Sequence, residues 1–80
     1  MARGTLQAAF GQVLKDLRHH AGLSQEQLAL ECGLHRTYVS QLERGLKSPS
    51  LAASEVMAAA LGSKPHLMVK AAEDTRDSLS

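Results

Sequence analysis

The stretch that most constrains this 80-residue chain is SQEQLALECGLHRTYVSQLERG, residues 24–45. Two short runs with helical spacing lie on either side of Gly33, and a small residue, Ala29, stands four positions before that glycine. Helices that cross steeply at a short turn need little side-chain bulk at the crossing and a residue that tolerates positive φ in the turn. Ala29 and Gly33 supply these. The second run then divides into two faces. At about 100° per residue, Tyr38, Val39 and Leu42 gather on one side, and Arg36, Thr37, Ser40, Gln41 and Arg44 on the other. An ordinary helical hairpin would also solvate such a face, but here capping, crossing and polar-face signals agree.

The flanking sequence extends this pair into an all-α fold of five helices. Ala, Leu, Gln and Glu abound, whereas two prolines, one tyrosine and one phenylalanine are poor material for a sheet. Leu6, Phe10, Val13, Leu14, Leu17 and Ala21 form one stripe, which predicts a first helix over 6–20, capped by Thr5 and ended at Gly22. Ser24 and Gln27 have capping-box spacing, so the second helix should run over 25–32 with Leu28, Ala29 and Cys32 inward. Leu34 and Val39 can staple the start of a third helix, 36–44, around a capping position at His35, and Gly45 closes it. Ser50 should cap a fourth helix over 51–61, with Leu51, Ser54, Met57, Ala58 and Leu61 as its core stripe. A fifth is expected from Pro65 to about Asp74, giving a domain over 1–74 and a frayed polar tail over 75–80.

Size and charge bound the function. A chain this short buries about 60–65% of the surface that its unfolded form exposes, which makes association with a second copy a natural expectation. The single cysteine excludes an internal disulfide, and neither a membrane-length apolar run nor a signal-peptide core is present. A soluble cytoplasmic protein with no membrane partner is expected. Net charge is only +1, but residues 1–50 carry +2 and the remainder −1, so any anion-facing surface belongs to the first part.

Residues 24–45 resemble the helix-turn-helix of the Cro and phage-repressor type, the xenobiotic-response-element (XRE) family of bacterial regulators. The resemblance spans roughly residues 6–70 and rests on GLSQEQLA, the glycine four residues after Ala29, RTYVSQLERG, and SPSL with a following ALG. It implies a lambda-repressor-like DNA-binding domain, of bacterial or phage origin and on the nucleoid when bound, whose third helix enters the major groove of double-stranded DNA. Arg36, Thr37, Ser40 and Gln41 would then read base edges. Arg36 suits guanine O6 and N7, and Gln41 suits adenine N6 and N7.

The resemblance also places Gln25 on a backbone phosphate and pairs Arg18 with Glu43 as a structural ion pair between the first and third helices. Helix N-termini near Gln25 and Ser50 present amides to anions, and His35, Tyr38, Arg44 and Lys47 complete the expected phosphate contacts. In size and motif the chain is similar to restriction-modification controllers and phage repressors. A homodimeric repressor on an inverted repeat is the expected function, with contact to RNA polymerase as a further possibility of the family.

Ala52, Val56 and Ala59 form a second apolar line on the fourth helix, and with Leu67 and Met68 they are the expected homodimer surface. The same fold can instead serve as a protein-interaction module such as an antitoxin. His19, His20, His35 and Cys32 match no zinc spacing, no nucleophile elbow or phosphate loop organises a catalytic set, and neither metal nor cofactor is expected.

Overall fold

Three hydroxyl side chains begin three of the helices. Thr5 Oγ1 accepts from the Ala8 amide and starts α1 (Leu6–His20), and Ser24 accepts from Gln27 and starts α2 (Gln25–Cys32). Ser50 accepts from Ala53 and starts α4 (Leu51–Ala60). Between them lies α3 (Arg36–Glu43), and α5 (Pro65–Leu79) follows. The structure, a computed structural model, describes residues 5–79. Residues 1–4 of the expected domain and Ser80 of the expected tail lie outside the described residues.

The capping box of α2 is complete: Gln27 Oε1 also accepts from the Ser24 amide at 2.7 Å. His35 occupies the cap position of α3 in extended conformation, but its side chain makes no capping bond. At the other end of α2, the Leu34 amide reaches back to the Ala29 carbonyl (2.9 Å) and Gly33, at φ +67, closes the inner bond to Leu30. This is the geometry that a glycine adopts without a Cβ penalty. The α1, α3 and α4 ends repeat the double bond, ending on Leu23, Leu46 and Ser63.

Helix α1 packs on α5 and α3, α2 packs on α3 and α4, and α4 also meets α5. Their shared core holds Phe10, Leu14, Leu28, Val39, Leu42, Met57, Met68 and Ala72. The tightest approach is at Gly11, where a Cβ would lie 2.2 Å from the Leu42 carbonyl oxygen and 2.8 Å from that of Glu43. The end of α3 therefore rests directly on the backbone of α1.

Several expectations are corrected. Met68, expected on the dimer surface, is 1% exposed and belongs to the core, because α5 turns its Met68–Ala72 edge toward the other helices. Leu51, expected in the core stripe, is 88% exposed, and Ala53 takes an inward place on α4. Residues 75–79 continue α5 in place of the expected tail. Met68, Ala71, Ala72 and Thr75 recur at helical spacing as a buried or half-buried stripe of mostly small residues. Thr75 Oγ1 donates to the Ala71 carbonyl (2.8 Å), and Lys70 pairs with Asp74 (3.1 Å), both favouring helix over coil. Ser54 is buried as the core stripe required, and its hydroxyl is satisfied by the Ser50 carbonyl at 2.9 Å.

Candidate nucleic-acid interface

Helix α3 presents the five polar residues on the side away from Val39 and Leu42. Arg36, Thr37 and Arg44 are exposed, and Ser40 and Gln41 are half-buried. Among the described residues, none of these five side chains has a hydrogen-bond or ion-pair partner. Five hydrogen-bonding side chains, two of them guanidinium groups, thus share one surface with no internal partner among the described residues.

The back of α3 is held firmly by contrast. Arg18 Nε donates to Glu43 Oε2 at 2.6 Å and Nη2 to Oε1 at 2.9 Å, while Nη1 donates to the Leu23 carbonyl at 2.9 Å. Both side chains are buried, at 8% and 3% exposure. Burial by itself would raise the Glu43 carboxyl, but the hydrogen bonds from Arg18 and Gln25 and the positive charge of Arg18 hold it below the usual carboxylate range. Arg18 is raised in turn, chiefly by its hydrogen bond to Glu43 and against its own desolvation. The pair thus joins the last residue of α3 to α1 through two charge-assisted hydrogen bonds.

The expected phosphate groups surround this helix. Gln25 Nε2 donates to Glu43 Oε1 at 3.1 Å, which uses one amide hydrogen and leaves the second without a partner among the described residues. Tyr38 Oη accepts from the Ser50 amide at 3.1 Å, so its own hydroxyl proton remains to be donated. At the start of α4, Ser50 and Ala53 amides are occupied, and those of Leu51 and Ala52 have no partner among the described residues. Lys47 lies exposed in the loop after α3.

The structure also joins two groups that the sequence kept apart. His35, Tyr38 and Ser50 line one groove together with Cys32, Leu34, Ala52 and Val56, so the expected phosphate contacts and dimer residues are contiguous. Ala52, Val56 and Ala59 are exposed on α4, and Leu67 is exposed on α5. Cys32 is half-buried, and its thiol lies 3.5 Å from the Val56 carbonyl. Burial first, and the charge of Glu31 second, push that thiol up, which opposes formation of the thiolate. Among the described residues no group of three or more His, Cys, Asp or Glu is arranged to hold a metal ion, and no helix is long and apolar enough to cross a membrane.

Two residues of consequence escaped sequence reasoning. Gly11 carried a signal, a glycine inside an otherwise strong helix, which marks a close backbone approach. Gln7 carried none: its Nε2 donates to the Gly45 carbonyl at 2.7 Å across 38 residues, and its Oε1 accepts from Ser48 Oγ at 3.0 Å.

A short glycine-turned helix pair, with the second helix locked from behind and bare in front, defines a helix-turn-helix DNA-binding domain. A family model described as a helix-turn-helix domain matches residues 9–70, and the chain belongs to that family, among the XRE-type transcriptional regulators. It is similar to the control protein C.BamHI of Bacillus amyloliquefaciens, at 47% identity over 57 residues that cover 70% of each chain. Among solved structures, the restriction-modification controller protein C.AhdI from Aeromonas hydrophila superposes with a TM-score of 0.74 at 44% identity, covering 78% of this chain and 94% of that one. The biofilm master regulator SinR, solved in complex with DNA, superposes with a TM-score of 0.72 at 33% identity, covering 75% and 97%. The protein is a DNA-binding transcriptional regulator, a class distinct from enzymes.

Proposed function

We propose that the protein binds an inverted-repeat operator as a homodimer and represses transcription by occupying it. The observation that carries this reading is the contrast on α3: Arg18, Glu43 and Gln25 behind the helix are bonded to one another, and among the described residues the five polar side chains on its front have no partner. Arg36, Thr37, Ser40 and Gln41 read base edges, and each good bidentate pair discriminates by about 1–3 kcal/mol. Gln25, His35, Tyr38, Arg44, Lys47 and the first turn of α4 at Ser50 hold phosphates, which fixes register without reading sequence. SinR was solved on DNA, and C.AhdI and C.BamHI bear the names of controller proteins.

The exposed line of Ala52, Val56 and Ala59, with Leu67, supports pairing of two copies. A two-fold pair places its recognition helices in successive major grooves, about 34 Å apart.

Selection from a random duplex pool at near-physiological salt tests the reading, with the Arg36→Ala protein in parallel. Enrichment of an inverted repeat by the native protein, and loss of one base preference per half-site by the variant, is the expected result. No enrichment by folded protein overturns it in favour of a protein-interaction module. Transcription in vitro from a promoter carrying the selected site then separates occlusion of RNA polymerase from contact with it.

A further inference from the structure

The loop between α3 and α4 carries Lys47 and is tied to the fold at both of its ends. At its far end, the Ser50 amide donates to Tyr38 Oη at 3.1 Å. At its near end, Gly45 is buried at φ +72 against the first turn of α1, where a Cβ would lie 3.0 Å from Ala8 Cα. Gln7, the neighbour of Ala8, completes the near end with two bonds. Its Nε2 donates to the Gly45 carbonyl and its Oε1 accepts from Ser48 Oγ. A carbonyl can only accept, so the amide orientation is fixed by Gly45, and both ends of the side chain are used. Lys47 stands between the two residues that this one amide holds.

The bonds are specific to the loop. Gln7 is only half-buried, Ser48 is exposed, and neither belongs to the apolar core. One bond goes to the carbonyl of the buried Gly45 and the other to the exposed Ser48, so the amide ties the covered start of the loop to its open middle. The consequence of the link is a defined path for the backbone at residues 45–48, and with it a defined origin for the Lys47 side chain. An ordered origin reduces the conformational entropy lost when a long side chain meets its ligand.

We propose that Gln7 is a positioning residue for DNA binding, whose amide pins the α3–α4 loop so that Lys47 is presented to the phosphate backbone. The proposal rests on the DNA-binding reading given above and deepens it. Gln7 itself touches no DNA. Its effect is on affinity at every sequence equally, because phosphate contacts carry no base preference.

The test is a double-mutant cycle with Gln7→Met and Lys47→Ala on the duplex selected by the native protein, measured over a range of salt. Each single variant should bind about tenfold more weakly and lower the salt slope by about one, with the base preferences unchanged. The double variant should be no weaker than either single one, since the amide acts through the lysine. Ser48→Ala, which cuts only the exposed half of the link, should give a smaller loss in the same direction while melting like the native protein, and it stands in should Gln7→Met fail to fold. Native affinity and slope in folded Gln7→Met, or losses that multiply in the double variant, overturn the positioning role while leaving the DNA reading intact. Failure of the native protein to prefer any duplex overturns the DNA reading first, and this role with it.

Discussion

Arg18 and Glu43 are joined by two parallel hydrogen bonds, Nε to Oε2 and Nη2 to Oε1, with both side chains removed from solvent. The pair spans α1 and the last residue of α3, so it ties the C-terminal turn of α3 to α1. Taking two charges out of water costs about what their attraction returns, so the pair contributes orientation more than net stability.

Removing one partner is a different matter. Arg18→Met leaves the Glu43 carboxylate buried with the Gln25 amide as its one remaining hydrogen-bond donor among the described residues, and should cost about 3–5 kcal/mol in urea unfolding. Replacing both, as Arg18→Met with Glu43→Leu, should recover much of that stability. If the double variant is as unstable as the single one, the loss lies in the bond from Arg18 to the Leu23 carbonyl and not in the buried charge.

The same pair sets an acid limit. The folded Glu43 carboxyl lies below its ordinary value, so its contribution is complete above the unfolded carboxylate value of about 4.3 and is lost as pH falls through the folded one. The gap in urea midpoint between the native protein and Glu43→Gln should therefore be widest near neutrality and narrow below about pH 4. A gap that stays constant through the acid range would show that Glu43 acts by shape and not by charge.

Gly11→Ala sets two effects against each other. Alanine is favoured over glycine inside a helix by about 1 kcal/mol. The added methyl, however, would meet the Leu42 carbonyl oxygen at 2.2 Å, and the obstacle is backbone that cannot rotate aside. Overpacking typically costs about 1–3 kcal/mol, and so short an approach to backbone belongs at the upper end, so the clash wins and thermal unfolding should move downward. Unchanged or improved stability would mean that α3 slides on α1 freely enough to admit a methyl.

How far the sequence discloses this molecule depends on the range of the interaction concerned. Caps and stops are local, so Thr5, Ser24, Ser50 and Gly33 were legible from neighbouring residues alone. Burial on a helix is a matter of rotation, and where adjacent residues are both apolar the pattern cannot choose. Leu67 and Met68 differ by one step of about 100° and only Met68 is inside. Leu51 misled for the same reason, since it is apolar and yet 88% exposed beside its cap. The end of α5 was hidden because residues 75–80, TRDSLS, are almost all polar, and the half-buried Thr75 continues the face of Ala71 and Ala72 with no large apolar residue to mark it. Arg18 with Glu43 came from family resemblance, and the bonds of Gln7 across 38 and 41 residues had no signature in either.

The distinction between Leu67 and Met68 gives the clearest separation of association from folding. Leu67 is 47% exposed on α5, and Val56 is 39% exposed on α4, whereas Met68 is enclosed. Val56→Glu or Leu67→Glu should leave the helical spectrum and the thermal midpoint of the isolated chain close to native, because each places its charge in water. Both should shift sedimentation toward the monomer and weaken binding to an inverted repeat far more than to a single half-site. Met68→Ala should do the reverse, removing about 2–5 kcal/mol of folding stability through the cavity it leaves. Half-site and full-site binding that fall together in Val56→Glu would place the contact between copies elsewhere, and a native melting curve for Met68→Ala would remove Met68 from the core.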